Sequence, residues 1–189
     1  MPRNRQVIPR EQRVDELLAA ATELFLSRGY AKTRMSDIAK SVGVANAALY
    51  WYFPTKEDLL AAMWNRVLDR EIERVPAGGA GGDPFDRLLE GFADLRPYRQ
   101  LHMTMHELLT ESEVVAAAHD RLIAWVRDLV DEGLVFHGLE NDADRNDVVE
   151  LVVVLFEGLN VPGIRARTAS EIVQLLLDKI LVAYETTEG

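Results

Sequence analysis

Helical periodicity runs through almost the whole chain and constrains its fold more than any other feature. Apolar residues recur at three- and four-residue steps, and glycines interrupt the pattern where helices can end. The first such run ends at Arg28, and Gly29 follows it. We therefore predict an all-α protein. Its first helix carries the apolar run from Val14 and ends at Arg28, and further helices are predicted over 33–41, 47–53, 56–75, 85–95, 98–109, 110–135, from Asp142 or Asp144 to Asn160, and over 168–184.

Four threonines stand where helices are expected to begin. Thr33 is predicted to cap the short second helix, since a hydroxyl there can accept a hydrogen bond from a free backbone N–H. Each of the other three is followed, three residues later, by an acidic residue, as in a capping box. These pairs are Thr55 with Asp58, Thr110 with Glu113, and Thr168 with Glu171.

One stretch, "PAGGAGGDP" at 76–84, reads as a linker. Its glycines lack the Lys-Ser/Thr that follows in a phosphate-binding loop, so we interpret it as a connector. The predicted domains are an N-terminal domain over 1–56, a connecting helix over 56–75, and a larger helical C-terminal domain over 85–189.

The net charge of −10 hides two oppositely charged parts. Residues 1–56 contain nine Lys and Arg against five Asp and Glu, a net charge of +4, whereas residues 57–189 contain twelve against twenty-six, a net charge of −14. DNA affinity comes largely from cations that neutralise phosphates, so the basic head suits a DNA reader. Arg3, Arg5 and Arg10 form a basic arm that would fit an adjacent minor groove if it is ordered.

Residues 35–54 carry the pattern of a helix-turn-helix. Gly43 separates two short helices and tolerates a positive φ, while Ala39 is small enough for a close helix crossing. The second helix of such a unit presents its N-terminal residues to the major groove. Tyr52 and Phe53 are expected to be mostly core, and the opposite face belongs to Asn46, Ala47, Tyr50 and Trp51.

The stretch "TRMSDIAKSVGVANAALYWYFPTKEDLL" resembles the N-terminal domain of the TetR family of bacterial transcription regulators. The similarity covers residues 13–64 closely and includes "DIA", "GV", "LY", "YF" and "KEDLL". It implies a homodimer that reads a palindromic double-stranded DNA operator and carries a ligand pocket in its C-terminal domain. It also implies that Tyr50 and Lys56, and Thr33 near the second helix, contact phosphates.

Two positions depart from the family pattern and leave the operator sequence open. Position 45 usually carries Ser or Thr, and here it is Ala45; Asn46 then either caps the helix or reads an adenine. Position 51 is commonly His, and here Trp51 either contacts DNA or packs. Arg34 is interpreted as a phosphate contact or a solvated charge.

The C-terminal half supplies candidate pocket and dimer residues. Its large or pliable apolar side chains and nearby histidines suit an apolar or amphipathic effector, although a simple core is the alternative. The candidate pocket residues are Phe92, Tyr98, His102, Met103, Met105, His106 and Trp125.

Two strongly apolar helices, doubled by a twofold axis, would form an intersubunit four-helix bundle. Their candidate interface residues are Val149, Val153, Phe156, Leu176 and Ile180.

Other classes of function find less support. His102 and His106 lie four residues apart, as in a shared metal site with Glu107 or His119, but a further ligand at fixed spacing is missing, so no metal or cofactor is predicted. No nucleophile elbow, HExxH pair or dinucleotide fingerprint appears, and an enzyme is not expected.

The N-terminus lacks an apolar export signal, which predicts a cytoplasmic protein. The alternatives are a non-specific architectural DNA-binding protein and a regulator without a small-molecule effector.

Overall fold

The computed structural model of this chain describes residues 9–74, 82–139, 141–160 and 168–187. The predicted all-α fold is confirmed, because every regular element in these ranges is helical. Arg3, Arg5 and most of the predicted linker, 76–81, lie outside the described residues. The helices are α1 (Arg10–Arg28), α2 (Met35–Ser41), α3 (Asn46–Tyr52), α4 (Lys56–Glu73), α5 (Pro84–Leu95), α6 (Arg99–Leu108), α7 (Glu113–Phe136), α8 (Asp142–Asn160) and α9 (Ala169–Thr187), with a 3₁₀ turn at Arg96–Tyr98 before α6.

Two of the predicted capping boxes are confirmed. The Thr55 hydroxyl accepts from the Asp58 N–H at 3.0 Å, and the Asp58 carboxylate accepts from the Thr55 N–H at 2.9 Å. Thr168 and Glu171 make the same reciprocal pair at 3.2 and 2.6 Å. Each pair satisfies backbone donors that a helix start would otherwise leave unpaired.

The other two predicted caps are wrong. The pair of Thr110 and Glu113 does not form, because the N–H groups of Glu111 and Ser112 donate back to the Leu108 carbonyl and extend the turn that ends α6. Helix α7 then begins only at Glu113, after Ser112. Before α2, the N-cap position belongs to Arg34, one residue beyond Thr33.

The C-terminal end of the predicted linker belongs to a helix. Asp83 accepts a hydrogen bond from the Phe85 N–H at 2.8 Å, and Pro84 stands at the first helical position, where its missing N–H is not needed. His137, just after α7, lies 2.7 Å from the Asp83 carboxylate and stacks on Phe85, with 5.3 Å between ring centroids. The start of α5 is thereby tied to the end of α7.

Helix α4 joins the N-terminal helices to the rest of the chain. It packs against α1 on one side and α7 on the other, and seven of its residues are buried: Leu59, Leu60, Ala61, Met63, Trp64, Val67 and Leu68. Polar contacts follow the same two junctions, with Arg66 bonded to Asp15 of α1 at 2.7 Å and Arg121 of α7 bonded to Asp69 at 2.6 Å. One contiguous apolar core therefore runs from the helix-turn-helix into the C-terminal helices.

Two glycines allow α5 and α7 to approach closely. A Cβ at Gly91 of α5 would lie 2.3 Å from the ring of Trp125, and a Cβ at Gly133 of α7 would lie 2.3 Å from the ring of Phe85. Such distances are far inside van der Waals contact. Each helix thus leaves space for an aromatic ring of the other.

Among the described residues, no helix combines the length and hydropathy that crossing a bilayer would require.

Gly133→Ala should destabilise the fold, because the added methyl group must displace the buried Phe85 ring. Overpacking of this kind typically lowers the free energy of unfolding by about 1–3 kcal/mol. Gly158→Ala is the matched control: it also lies in a helix, but a Cβ there meets nothing within 4 Å. It should raise stability by roughly 0.5–1 kcal/mol through helix propensity. Urea denaturation followed by circular dichroism measures both, and equal stabilisation by the two substitutions would contradict the close approach.

Candidate functional site

The turn between α2 and α3 has the geometry expected of a helix-turn-helix. Gly43 has a φ of 69°, and the Val44 N–H returns to the Ala39 carbonyl at 2.9 Å. Ala39, Ile38 and Leu49 are fully buried where the two helices cross. The small Ala39 side chain and the positive φ of Gly43 together bring α3 across α2 at short range.

Helix α3 exposes the four residues that were predicted to face DNA, and this surface is called the reading face below. Asn46, Ala47, Tyr50 and Trp51 are all exposed, and Trp51 keeps 67% of its surface accessible. The opposite face holds Leu49, while Phe53, directly after the helix, is buried. Ala45 occupies the N-cap position, so Asn46 is the first helical residue and does not act as the cap.

Trp51 is held from both sides by neighbouring side chains. Its ring meets Tyr52 edge to face, with centroids 4.8 Å apart. The Arg10 guanidinium, at the start of α1, lies 5.2 Å from the Trp51 ring centroid, within the range of a cation–π contact. The structure thus places a cation of the predicted basic arm beside the exposed Trp51 ring of α3.

Lys56, Tyr30 and Glu57 form a small charged group at the start of α4. The Lys56 ammonium lies 3.9 Å from the Tyr30 ring centroid, and the Tyr30 hydroxyl donates to the Glu57 carboxylate at 2.8 Å. Burial raises the pKa of Tyr30, and the bond to Glu57 raises it further. Burial also lowers the pKa of Lys56, although Glu57 opposes that shift. The Tyr30 ring therefore positions the Lys56 ammonium near the C-terminal end of α3.

Thr33 does not lie on the surface, in conflict with its prediction as a phosphate contact. Its side chain is buried, and its hydroxyl lies within hydrogen-bonding distance of two carbonyls of the α1 C-terminal region, Gly29 at 2.9 Å and Leu24 at 3.2 Å. These bonds hold the loop between α1 and α2. Arg34 is exposed, and its backbone N–H donates to Asp37.

Residues 17–63 match the family described as bacterial regulatory proteins, tetR family. This part of the chain is therefore similar to the regulators of the TetR family. A transcriptional regulator of the TetR/AcrR family from Thermobifida fusca is similar over almost the full length, with 25% identity, a TM-score of 0.62, and coverage of 90% of this chain and 97% of that one. FadR of Thermus thermophilus, a TetR-family repressor solved with lauroyl-CoA, shares 25% identity at a TM-score of 0.61, with coverage of 89% and 93%.

Similarity to curated proteins extends over part of the chain. The transcriptional activator FasR of Mycolicibacterium smegmatis is 38% identical over 68 residues, which cover 36% of this chain and 31% of that protein. The chain thus spans about a third of the length of the curated relatives that it matches.

Three of the predicted pocket residues, Phe92, Tyr98 and His102, lie along a series of aromatic contacts in the C-terminal part. Trp64 of α4 contacts Tyr98 and His102, with centroids 5.8 and 6.0 Å apart, and Phe92 stacks on Phe156 at 4.7 Å. His102 contacts Phe156 at 5.6 Å and so connects the two pairs. The remaining predicted residues differ in burial: Met105 and Trp125 are buried, whereas Met103 and His106 are partly exposed.

Two buried indole N–H groups near this series have no hydrogen-bond partner among the described residues. They belong to Trp64 and Trp125. A buried, unpaired donor is unfavourable by about 1–3 kcal/mol, so each such group in a native protein requires an explanation, such as a ligand or water. The donors are therefore candidate polar contacts for a bound molecule.

Three histidines converge on one carboxylate beside the aromatic series. His102 and His106 come from α6, His119 from α7 and Glu157 from α8. The Glu157 carboxylate oxygens lie 2.7 Å from His106 Nε2, 3.5 Å from His119 Nε2 and 3.6 Å from His102 Nε2. Sequence spacing had paired only His102 with His106 and named His119 or Glu107 as a neighbour; Glu107 is exposed outside this group. Glu157 had no sequence signal, because it belongs to a distant apolar segment.

Burial and neighbouring charges shift the pKa values of two members of this cluster, His102 and Glu157. Burial lowers the pKa of His102 to about 4, and His106 and His119 act in the same direction against Glu157. Burial alone would raise the pKa of Glu157, but the His119, His102 and His106 imidazoles together lower it. At neutral pH the structure thus holds an ionised carboxylate among imidazoles, of which His102 is neutral.

The predicted dimer residues are mostly covered within the chain, and that prediction is wrong for α8. Val149, Val153 and Phe156 are buried in the core, whereas Leu176 and Ile180 of α9 are partly buried against it. The period of α8 places other side chains outside. Among the side chains of the last two helices whose burial the structure describes, the large exposed aliphatic ones are Leu151 and Val154 on α8 and Leu175 and Val182 on α9.

Thr33→Val should lower the free energy of unfolding by about 1–2 kcal/mol, since it removes a buried hydroxyl donor from the Gly29 and Leu24 carbonyls. Thr104→Val is the control, because the Thr104 hydroxyl donates to a carbonyl four residues earlier on an exposed helix surface. That variant should change stability by less than about 0.5 kcal/mol. Chemical denaturation reports both values. A Thr33 variant of unchanged stability but reduced DNA affinity would instead restore the phosphate contact.

Proposed function

We propose that this protein is a sequence-specific, DNA-binding transcription regulator that acts as a homodimeric, cytoplasmic repressor. The observation that carries the proposal is the exposed face of α3, which displays Asn46, Ala47, Tyr50 and Trp51 on a helix-turn-helix within a basic head. A recognition helix of this kind inserts the start of its exposed face into the major groove. The similar TetR-family regulators support the same activity.

The side chains on and beside the exposed face of α3 fall into two groups, one suited to contact bases and one suited to contact phosphates. Asn46, at the start of α3, has an amide suited to an adenine edge, and Trp51 has a large apolar surface suited to a thymine methyl or a sugar. The Tyr50 hydroxyl and the cations of Lys56 and Arg34 suit phosphate oxygens, which position the protein without reading sequence. Arg10 joins the second group through its place beside Trp51.

The exposed aliphatic surface of α8 and α9 is the proposed dimer contact. Leu151 and Val154 lie one turn apart on α8, and Leu175 and Val182 lie on one side of α9. Packed against the same surface of a second copy, these helices would form a four-helix bundle with each apolar stripe covered. A twofold dimer places two recognition helices on a palindrome, which matches the symmetry of such operators.

The aromatic series beside the histidine cluster is the proposed effector site. Phe92, Phe156 and Trp125 provide apolar surface, and the unpaired Trp64 and Trp125 N–H groups provide donors, so the effector is an apolar or amphipathic molecule. The complex of Thermus thermophilus FadR with lauroyl-CoA shows an amphipathic ligand on a similar protein. Because Trp64 is part of α4, a ligand that moves it favours a displaced reading head and releases DNA.

A non-specific architectural role is the competing function. It shares the basic head but needs no defined side-chain chemistry on the exposed face of α3. Catalysis is not part of the proposal, since the similar proteins are transcription regulators. A regulator without a small-molecule effector would share the DNA site and leave the aromatic series as plain core.

DNase footprinting on the DNA upstream of the protein's own gene and its neighbours tests the proposal. One protected palindrome, with half-site centres roughly one or more helical turns apart, is the expected result. Uniform protection of every fragment would favour the architectural role. Repeating the footprint with amphipathic acyl compounds tests the effector: loss of protection supports it, and unchanged protection at ligand saturation contradicts it for that compound.

Lys56→Ala should weaken binding to every DNA sequence and reduce the salt dependence of binding. The loss of one phosphate contact per subunit lowers the slope of log K against log salt by about 0.9 per subunit. Arg70→Ala is the matched control, because it removes one cation from the exposed last turn of the same helix. Fluorescence anisotropy at several salt concentrations measures both slopes. Equal slopes for the two variants would contradict a Lys56–phosphate contact.

Leu151→Glu should give folded monomers, because it places a charge on the exposed surface of α8 that we assign to the dimer. Val153→Glu, two residues away, should instead unfold the chain, since Val153 is buried and an unpaired charge there is unfavourable by several kcal/mol. Sedimentation velocity with circular dichroism separates the two effects. A folded dimer for Leu151→Glu would assign the contact to another surface.

A further inference from the structure

Three of the four histidines in the chain meet at one carboxylate in the C-terminal part. Their potential ligand atoms, with a Glu157 oxygen, all lie within 4.8 Å of one another. The group draws on three helices, so its members meet only in the folded chain. His102 and His106 occupy successive turns of α6, His119 faces them from α7, and Glu157 closes the group from α8.

We propose that His102, His106, His119 and Glu157 bind one divalent transition-metal ion of the Zn²⁺ type. Imidazole nitrogen with a single carboxylate oxygen is a donor set that suits Zn²⁺ and its neighbours Co²⁺ and Ni²⁺, and does not suit Mg²⁺ or Ca²⁺, which prefer oxygen alone. The ion would replace direct contact between the four side chains as the centre of the group.

The distances fit this donor set with small side-chain adjustments. Four atoms about 2.0–2.2 Å from a tetrahedral ion lie roughly 3.3–3.5 Å from one another. Glu157 Oε2 stands 3.5 Å from His119 Nε2 and Oε1 stands 3.6 Å from His102 Nε2, close to these values. The 2.7 Å separation of Oε2 from His106 Nε2 must lengthen, and the widest separations in the group, up to 4.8 Å, must shorten.

A plain hydrogen-bond network explains the cluster less well. His102 Nε2, His119 Nε2 and Glu157 Oε1 are buried and lack hydrogen-bond partners among the described residues. Such groups destabilise a fold when they remain unpaired. One ion between them would engage all three side chains at once. His102 Nδ1 is also unpaired and is not accounted for by the ion.

The cluster is enclosed on one side and accessible on the other. His102 is 2% exposed and stacks against His119, which fixes both rings. The side chains of His106 and Glu157 keep 31% and 24% of their surfaces exposed, which gives an ion a path from solvent. His102 also contacts the Trp64 ring, so indole fluorescence should respond to ion binding.

Calorimetric titration of the full-length, chelator-treated chain with ZnCl₂ tests the proposal at neutral pH. We expect one ion per chain with a dissociation constant on the order of 1 µM or lower, a range that gives a defined endpoint at micromolar protein. CoCl₂ should give the visible absorption of four-coordinate Co²⁺. Saturating Zn²⁺ should raise the melting temperature, because an ion that binds only the folded chain stabilises it.

Glu157→Gln and His119→Asn should each weaken Zn²⁺ binding at least about tenfold, since even outer partners of metal ligands account for 10–100-fold. His137→Ala is the control, because His137 pairs with Asp83 outside the cluster and should leave affinity unchanged. Circular dichroism confirms that each variant is folded. The near-isosteric Glu157→Gln substitution keeps the test valid if a histidine variant unfolds.

Absence of a one-to-one Zn²⁺ endpoint in the wild-type chain would overturn the proposal. So would binding that survives Glu157→Gln and His119→Asn, or that is lost with His137→Ala. The measurements use the free chain without DNA and therefore do not rest on the proposed function. A failed titration would leave the proposed regulator standing, and a failed footprint would leave the metal site standing.

Discussion

Packing of α4 against both α1 and α7 is the constraint on which the rest of the structure depends. The helix begins at Lys56, beside the reading face, and places Trp64 in contact with Tyr98 and His102 of the C-terminal part. The N-terminal helices α1 to α3 and the aromatic series therefore both pack against α4 and belong to one apolar core. Trp64 and Lys56 lie on the same helix, which is why the proposed effector would act on the reading face through α4.

The sequence predicted the parts of the fold that rest on local chemistry. Apolar periodicity located the helices, and the caps at Thr55 and Thr168 formed because their acidic partners lie three residues on. Gly43 and Ala39 predicted the helix-turn-helix for a similar reason: a positive φ and a close crossing each need a particular residue at a particular place. The exposed face of α3 followed from the same spacing.

Contacts between residues far apart in the sequence could not be predicted from local patterns. The wrong predictions for Thr33 and α8 concern such contacts. Thr33 looks like a cap or a surface contact until α1 supplies two carbonyls for its hydroxyl. Helix α8 is apolar on most sides, so its pattern could not separate the core residue Val153 from the exposed Leu151. Glu157 joined three histidines only through the arrangement of α6, α7 and α8, which no spacing along the chain encodes.

The exposed aliphatic stripe of α8 and α9 has a consequence for gene dosage. If two copies must pair through Leu151, Val154 and their α9 neighbours before two recognition helices can reach one operator, the paired species depends on the square of the protomer concentration when protein is scarce. Operator occupancy then rises more steeply than the amount of protein made. A twofold fall in synthesis would reduce occupancy up to about fourfold, so an aliphatic surface sharpens the response of a promoter.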